Sequence, residues 1–338
     1  MNTKRRITLG IAIAAISTLA LAACSSGAVT SSGSSSSSSQ FEKKSPLKFG
    51  YDVWDQTDPY WLGYLKGIQY EAKLKGVKIV VADSKDSPST QVSNGATLIS
   101  QQISALIVSP VQPNALPTTI NAAHAAKIPV IVGDVGTAGK YDTYIVSNNT
   151  AGGAQAADWY INKWKNDPGM HKIAIIGLAA GVTVGPQRVN GFINEIKAKS
   201  TNIEIVSQLT GQTIATAYTA AQNALSAHPD IDGFYAANSN NAQGAIQALQ
   251  SAHNTHALVV GFNGDPIEMT LIAKGEEAAT VAQDPYTQGR DAVLAALALL
   301  NGKSPAFTDK AAKTILVPTK IVDSSNLAAY QAALAAEK

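Results

Sequence analysis

The sequence of 338 residues has a single cysteine, Cys24, so no intramolecular disulfide can staple the fold and stability must come from a core. Charged residues make up only 15% of it and aromatics 6%, and the net charge is +2. Lys4, Arg5 and Arg6 supply three positive charges within residues 1–23, which hold no acidic residue, so the remainder sits at −1. A near-neutral body lacks the electrostatic footprint of a nucleic-acid binder. Catalytic signatures are also missing. There is no G-x-S-x-G, no P-loop and no H-E-x-x-H, and "GDVGTAG" at 133–139 has G-x-x-G-x-x-G spacing rather than the dinucleotide fingerprint. His253 and His256 stand three apart without a Cys or carboxylate cluster beside them, which suits a solvated helix end rather than a metal site. No metal, no cofactor and no turnover are expected, although Asp58 and Asp134 are the carboxylates an enzymatic alternative would use for acid–base work.

What the sequence does have begins at its N-terminus. A basic start, an apolar stretch and small residues up to Cys24 form a secretory signal over 1–23, too short and wrongly flanked to span a membrane. Its ending "LAAC" (Leu21 to Cys24) resembles the lipobox of bacterial lipoproteins, which implies cleavage before Cys24 and acylation of it; an ordinary signal peptide is the alternative. Removing 23 residues leaves 315, enough for two domains. Residues 25–40, "SSGAVTSSGSSSSSSQ", have almost nothing apolar to bury and read as a flexible tether or an O-glycosylated stalk.

From Leu47 onward, short β-branched runs alternate with helix-length amphipathic segments. Strand-like runs are "LKFGYDV" (47–53), "VKIVVAD" (77–83), "SALIVSP" (104–110), "IPVIVGD" (128–134), "HKIAIIGL" (171–178), "IEIVSQL" (203–209), "IDGFYAA" (231–237) and "HALVVGF" (256–262). Such unbroken apolar runs suit parallel strands covered on both faces by helices, an α/β doubly wound class. Gly67, Glu71, Lys73 and Lys75 recur as Gly191, Glu195, Lys197 and Lys199 at a constant offset of 124, an echo that suggests two lobes. Asn148, Asn149, Gly152 and Gly153 punctuate the chain where one lobe would pass to the other.

In open parallel sheets, ligands bind beyond the carboxyl ends of the strands. The strand exits here hold Asp58–Trp61, Asp134, Asn238, Asn263 and Gln283, a polar, amide-rich set edged by rings. Carboxylates accept and amides both donate and accept, which suits a neutral ligand covered in hydroxyls. Tyr60 and Trp61 are adjacent and cannot share one helix face, so one ring is expected to pack and at least one to line a cleft. Each residue also has a plainer role open to it: Asp58 and Asn238 as helix caps, Asn263 with Gly264 as a turn, Gln283 as a hinge residue.

The same stretches resemble the sugar-binding proteins of ABC transporters, the ribose/galactose-binding periplasmic group. The resemblance spans about residues 46–320 and rests on "DPYW" (58–61), "IPVIVGD" ending at Asp134, "SNNTAGG" (147–153), "RVNGF" (188–192), "AHPDIDGFYAANSNNAQGA" (227–245), "VGFNG" (260–264) and "AATVAQDPYTQG" (278–289). It implies a type I periplasmic-binding-protein fold of two Rossmann-like lobes joined by a hinge. The expected lobes are 46–147 plus 285–312 and 148–284 plus 313–338, after a signal peptide (1–23) and a lipidated tether (24–45). It also implies Asp58, Tyr60, Trp61, Asp134, Asn238, Asn263 and Gln283 as ligand-binding residues, Cys24 as the lipidated one, and Arg188 as structural. The partners it implies are a monosaccharide or polyol and a membrane permease, for a monomer held at the outer face of the cell membrane or in the periplasm. Three positions depart from the ribose pattern: Val135 and Pro186 stand where arginines are expected, and Gln212 where a stacking ring is. The pocket is therefore less cationic and less aromatic than a ribose site. A sugar sensor, or a binder of another small polar ligand such as a quorum-sensing furanone, stays open.

Overall fold

The computed structural model describes residues 39–178 and 180–336; the expected signal segment (1–23), Cys24 and the expected tether up to residue 38 lie outside the described residues. The chain opens with β1 (Lys48–Val53), α1 (Pro59–Lys75), β2 (Lys78–Asp83), α2 (Pro88–Ser100), β3 (Ala105–Val108), α3 (Pro117–Ala125), β4 (Val130–Gly133) and β5 (Thr143–Ser147). It continues through α4 (Asn149–Trp164), β6 (His171–Leu178), α5 (Val184–Lys199), β7 (Ile203–Gly211), α6 (Ile214–Ala227) and β8 (Gly233–Ala236). Then come α7 (Ser239–Ser251), β9 (Leu258–Asn263), α8 (Pro266–Lys274) and β10 (Ala279–Ala282). The last elements are α9 (Pro285–Leu300), β11 (Thr314–Val317), β12 (Lys320–Asp323) and α10 (Leu327–Ala336).

The strands form two six-stranded sheets, ordered β2-β1-β3-β4-β5-β11 and β7-β6-β8-β9-β10-β12. The first is parallel throughout; in the second only β12 runs antiparallel, against β10. β1, β3 and β4 are buried almost end to end, which is why their runs show no alternation. Helix starts follow local chemistry: Asp58 accepts from the Tyr60 N–H with Pro59 in the first turn, and Asp284 accepts from the Thr287 N–H with Pro285 following. Gly76 closes α1 in a left-handed conformation that other residues resist.

The sequence echo has a packing reason. A Cβ on Gly67 would lie 2.0 Å from the Tyr286 carbonyl oxygen, and one on Gly289 2.1 Å from that of Tyr64. In the second lobe, a Cβ on Gly153 would lie 2.0 Å from the Arg188 carbonyl and one on Gly191 2.2 Å from that of Thr150. So α1 crosses α9, and α5 crosses α4, with backbone against backbone. Each lobe is a helix pair closed through two glycines over a sheet. Charged groups staple both pairs: Arg290 Nε to Glu71 at 3.1 Å, and Lys199 Nζ to Asp158 at 2.9 Å.

Two boundaries differ from expectation. β11 pairs with β5 in the first sheet, so the last crossing between lobes falls at Pro318 and Thr319, and residues 314–317 join the first lobe rather than the second. Strands of four residues carry too little pattern to be read. The tether also ends earlier than residue 45. Phe41 is buried in the first lobe's core, the Glu42 N–H donates to the Lys127 carbonyl at 3.0 Å, and Ser39 Oγ donates to Leu299 at 2.8 Å. An aromatic ring at the end of a serine run gains more from burial than from staying in water.

Candidate functional site

The chain passes between the lobes at Ser147–Asn149, Gln283–Pro285 and Pro318–Thr319, and a row of side chains is stitched across these passages. Tyr60 Oη donates to Asp134 Oδ1 at 2.7 Å. Gln288 Nε2 donates to Tyr60 Oη and to Ser147 Oγ, each at 3.0 Å. Ser147 Oγ donates to Gln283 Oε1 at 2.8 Å, and Gln283 Nε2 to Asn263 Oδ1 at 2.9 Å. Asn263 Nδ2 donates to Asp265 Oδ2 at 3.2 Å, which also accepts from Ser239 Oγ at 2.5 Å. The row runs from a carboxyl of the first lobe to a carboxyl of the second without a break.

Arg188 enters this row from α5. Its Nε donates to Asn149 Oδ1 at 2.7 Å, its Nη1 to the Ala237 carbonyl at 2.8 Å, and its Nη2 to Gln283 Oε1 at 3.3 Å. The guanidinium lies over the Phe262 ring, 3.9 Å from its centre. Burial raises the Asp134 pKa, opposed by the Arg188 charge and the Tyr60 hydrogen bond. Asp265 is raised by burial too, opposed by Ser239 and Asn263. Asp58 stays exposed at the rim, yet its pKa is raised, first by desolvation and next by the Asp265 charge, so acids of both lobes feel each other there.

Two of the candidate residues stand in left-handed backbone: Asp134 with φ 59° and Asn263 with φ 132°. Asp and Asn tolerate this better than other residues, and such conformations gather at functional sites. Gly264 follows with φ 79°, where a Cβ would meet Ala282 at 2.5 Å, so the loop lies flat on β10. A cavity of about 780 Å³ opens beside this loop, between Tyr60, Asn263, Asp265, Gln283, Pro285 and Thr319. On the side of Asp134 the rims touch: the Gly136 N–H donates to Thr183 Oγ1 at 3.1 Å. Among the described residues there is no cluster of three or more His, Cys, Asp or Glu that could hold a metal, and no helix long and apolar enough to cross a membrane.

A family model described as a periplasmic binding protein domain matches residues 49–304. The chain belongs to the periplasmic binding protein family. It is 31% identical over 280 residues to the ribose import binding protein RbsB of Bacillus subtilis, covering 82% of this chain and 88% of that protein. Among solved structures, a myo-inositol binding protein of Caulobacter bound to myo-inositol matches with a TM-score of 0.72 at 26% identity, over 85% of this chain and 96% of the other. An ABC transporter solute binding protein of Mycobacterium smegmatis with bound glycerol matches with a TM-score of 0.74 at 29% identity, over 84% and 96%.

In this periplasmic binding protein the candidate residues divide into three groups. Tyr60, Asp134, Asn263 and Gln283 meet in the one row described above. Asp58 and Asn238 sit at strand exits and spend a carboxyl or carbonyl oxygen on capping: Asn238 Oδ1 accepts from the Asn241 N–H at 2.8 Å. Trp61 is buried in the first lobe's core, stacked on Trp54 at 5.8 Å and meeting Tyr60 edge-on at 4.8 Å. Trp54 is half-buried and fixed by Nε1 donating to Asp86 at 2.7 Å. Of the adjacent rings, Tyr60 carries the polar work and Trp61 packs. Arg188, read from the sequence as structural, supports the second lobe and reaches Gln283 as well. Gln288, Ser147 and Asp265 were not singled out by sequence, although Gln288 lies in "TQG" and Ser147 in "SNNTAGG", both quoted motifs.

Proposed function

We propose that this protein is the extracytoplasmic solute-binding component of an ABC importer, capturing a monosaccharide or polyol between its lobes and presenting it to a membrane permease. The observation that carries the reading is the row from Asp134 to Asp265, in which both lobes contribute acceptors and amides at their strand exits. Its groups are bonded to one another, so a ligand must replace each bond it breaks. A hydroxyl does this well because it donates and accepts at once. A buried group left without a partner costs about 1–3 kcal/mol, which lets such a wall separate sugars that differ at one hydroxyl. Relatives named for ribose import and solved with myo-inositol or glycerol support this class. Asp58, Tyr60, Asp134, Asn238, Asn263 and Gln283, with Trp61 behind Tyr60, would hold the ligand. Arg188 belongs with them. The permease is the partner that the ABC-importer reading requires, and acylation of Cys24 would hold the body at the outer face of the membrane.

The test is a thermal-shift panel of D-ribose, D-allose, other pentoses and hexoses, myo-inositol and glycerol. A true ligand raises the unfolding midpoint saturably, by mass action on the folded state. A panel in which no sugar or polyol shifts the midpoint overturns the reading.

A further inference from the structure

Below the Asn263–Gly264–Asp265 loop lie two acids that the ligand-binding reading does not use. Glu268, fully buried on α8, accepts the Gly264 N–H at 2.8 Å and the Asp265 N–H at 2.9 Å through Oε2, and the Thr280 hydroxyl at 2.8 Å through Oε1. These bonds place one carboxylate under the two backbone amides that follow Asn263. Glu277, buried just ahead of β10, has no well-formed hydrogen bond at either oxygen. Both acids seat over Gly261 of β9, where a Cβ would meet Glu277 Oε1 at 2.3 Å and Glu268 Oε1 at 2.4 Å. Any side chain at 261 would drive them apart.

We propose that Glu268 is a positioning residue for the cleft loop, and that protonated Glu277 holds it in place by donating a hydrogen bond to its carboxylate. Two carboxyl groups side by side, with no cation bonded to either, cannot both ionise in a buried site. Glu268 already accepts three hydrogen bonds as a carboxylate, whereas Glu277 has at most the Gly261 backbone N–H facing it and no well-formed bond, so the shared proton belongs on Glu277. Burial raises both pKa values; the Glu268 charge raises Glu277 further, while the Asp265 charge raises Glu268 and its hydrogen bond with Glu277 lowers it. The other charges within reach do not supply the missing counter-charge. Asp265 on the loop adds repulsion, Tyr160 of α4 is neutral, and Arg188 of α5 is spent on Asn149, Ala237 and Gln283. Ionising the second acid would push Glu268 off the Gly264 and Asp265 amides and release the loop that carries Asn263. Ligand capture would then weaken at alkaline pH. This last consequence rests on the proposed function; the loop-setting role does not.

Amide hydrogen exchange at Gly264 and Asp265, corrected for the intrinsic rate at each pH and measured without ligand on the full-length chain, tests the pair. Wild-type protection is expected to fall as pH rises above neutral. Glu277→Gln places a permanent N–H donor beside Glu268, so its protection should stay and no longer vary with pH. Glu268→Gln offers one acceptor oxygen to three donors, and the two amides should exchange about tenfold faster or more. A flat wild-type profile, or a fall of the same size in Glu277→Gln, overturns the proposal; so do Glu268→Gln amides as slow as wild type. If Glu268→Gln fails to fold, the first two comparisons still decide. Calorimetry of D-ribose, D-allose, myo-inositol and glycerol on the same variants reports on the ligand class. Its failure would count against the proposed function and leave the exchange result standing.

Discussion

The first lobe meets the cleft with rings and the second with amides. On α1, Tyr60 offers a hydroxyl to Asp134 while Trp61, Trp54 and Tyr64 pack behind it. Across the gap, Asn263, Gln283 and Arg188 bond to each other and to backbone carbonyls, with a single ring, Phe262, under the guanidinium. Yet the frames beneath are alike: a helix pair closed through glycines, with one candidate acid or amide at a left-handed strand exit in each lobe. Shared frame and different walls teach that the fold constrains where side chains arrive, while the residues at the exits decide what they can hold.

Removing one wall group from each lobe tests that contrast most strongly. Arg188→Met strips a buried cation from Asn149, Ala237 and Gln283 and leaves Asp134 without its nearby positive charge. A stability loss of about 3–5 kcal/mol is expected in urea unfolding. Tyr60→Phe, the first-lobe counterpart, removes one donor from Asp134 and should cost about 1–3 kcal/mol. A loss of under about 1 kcal/mol for Arg188→Met would mean that the second lobe does not depend on its cation.

The likeness of the frames is tested next. Gly67→Ala and Gly191→Ala each place a methyl against a carbonyl oxygen that belongs to a packed helix. Each should cost about 1–3 kcal/mol by denaturant titration, and by similar amounts. A harmless substitution at one of them would show that only one lobe needs its helices in contact.

Much of this frame was legible in the sequence. Long apolar runs gave β1, β4, β6 and β9, because strands buried on both faces cannot hide their composition. The offset of 124 between Gly67 and Gly191 marked two equivalent helices, and so two lobes. Strand exits led to Tyr60, Asp134, Asn263 and Gln283. What escaped was set by distant contacts. β11 and β12 are four residues each and exist because β5 and β10 offer edges. Ser147 and Gln288 lie 141 positions apart and become partners only when the lobes are assembled. Adjacency alone did not say which of Tyr60 and Trp61 stacks on Trp54 and which reaches Asp134.

Caps sharpen the comparison further. Asn238 and Asp58 are placed alike, one per lobe, each accepting a hydrogen bond from its own helix. Asn238→Ala should therefore lower the ligand-free stability by about 1 kcal/mol as well as remove the response to ligand. Asp134 caps nothing, so Asp134→Ala should remove the response without that capping loss. Thermal melts with and without the best sugar of the panel separate the two effects. A variant of Asn238 that melts like wild type and still responds would remove it from the site.

A pH-dependent contrast concerns a buried acid of the first lobe that has no partner acid beside it. Asp52 accepts Ser84 and Asn94 at Oδ1, at 2.7 and 3.0 Å, and leaves Oδ2 unpartnered. Its pKa is raised from 3.8 to about 7, chiefly by burial, against the two hydrogen bonds. Because the folded value lies above the unfolded one, the fold favours the protonated form. That contribution is complete below the ordinary carboxylate range and is lost as pH rises through about 7. Asp52→Asn cannot ionise, so wild type should lose stability relative to it between about pH 4 and pH 7 and run parallel to it above that, read as a falling urea midpoint. The acid pair of the second lobe should show the same sign at higher pH, and Glu277→Gln should remove it. Parallel pH profiles for Asp52→Asn and wild type would mean that the first lobe holds Asp52 ionised throughout, and that the lobes do not share this way of burying an acid.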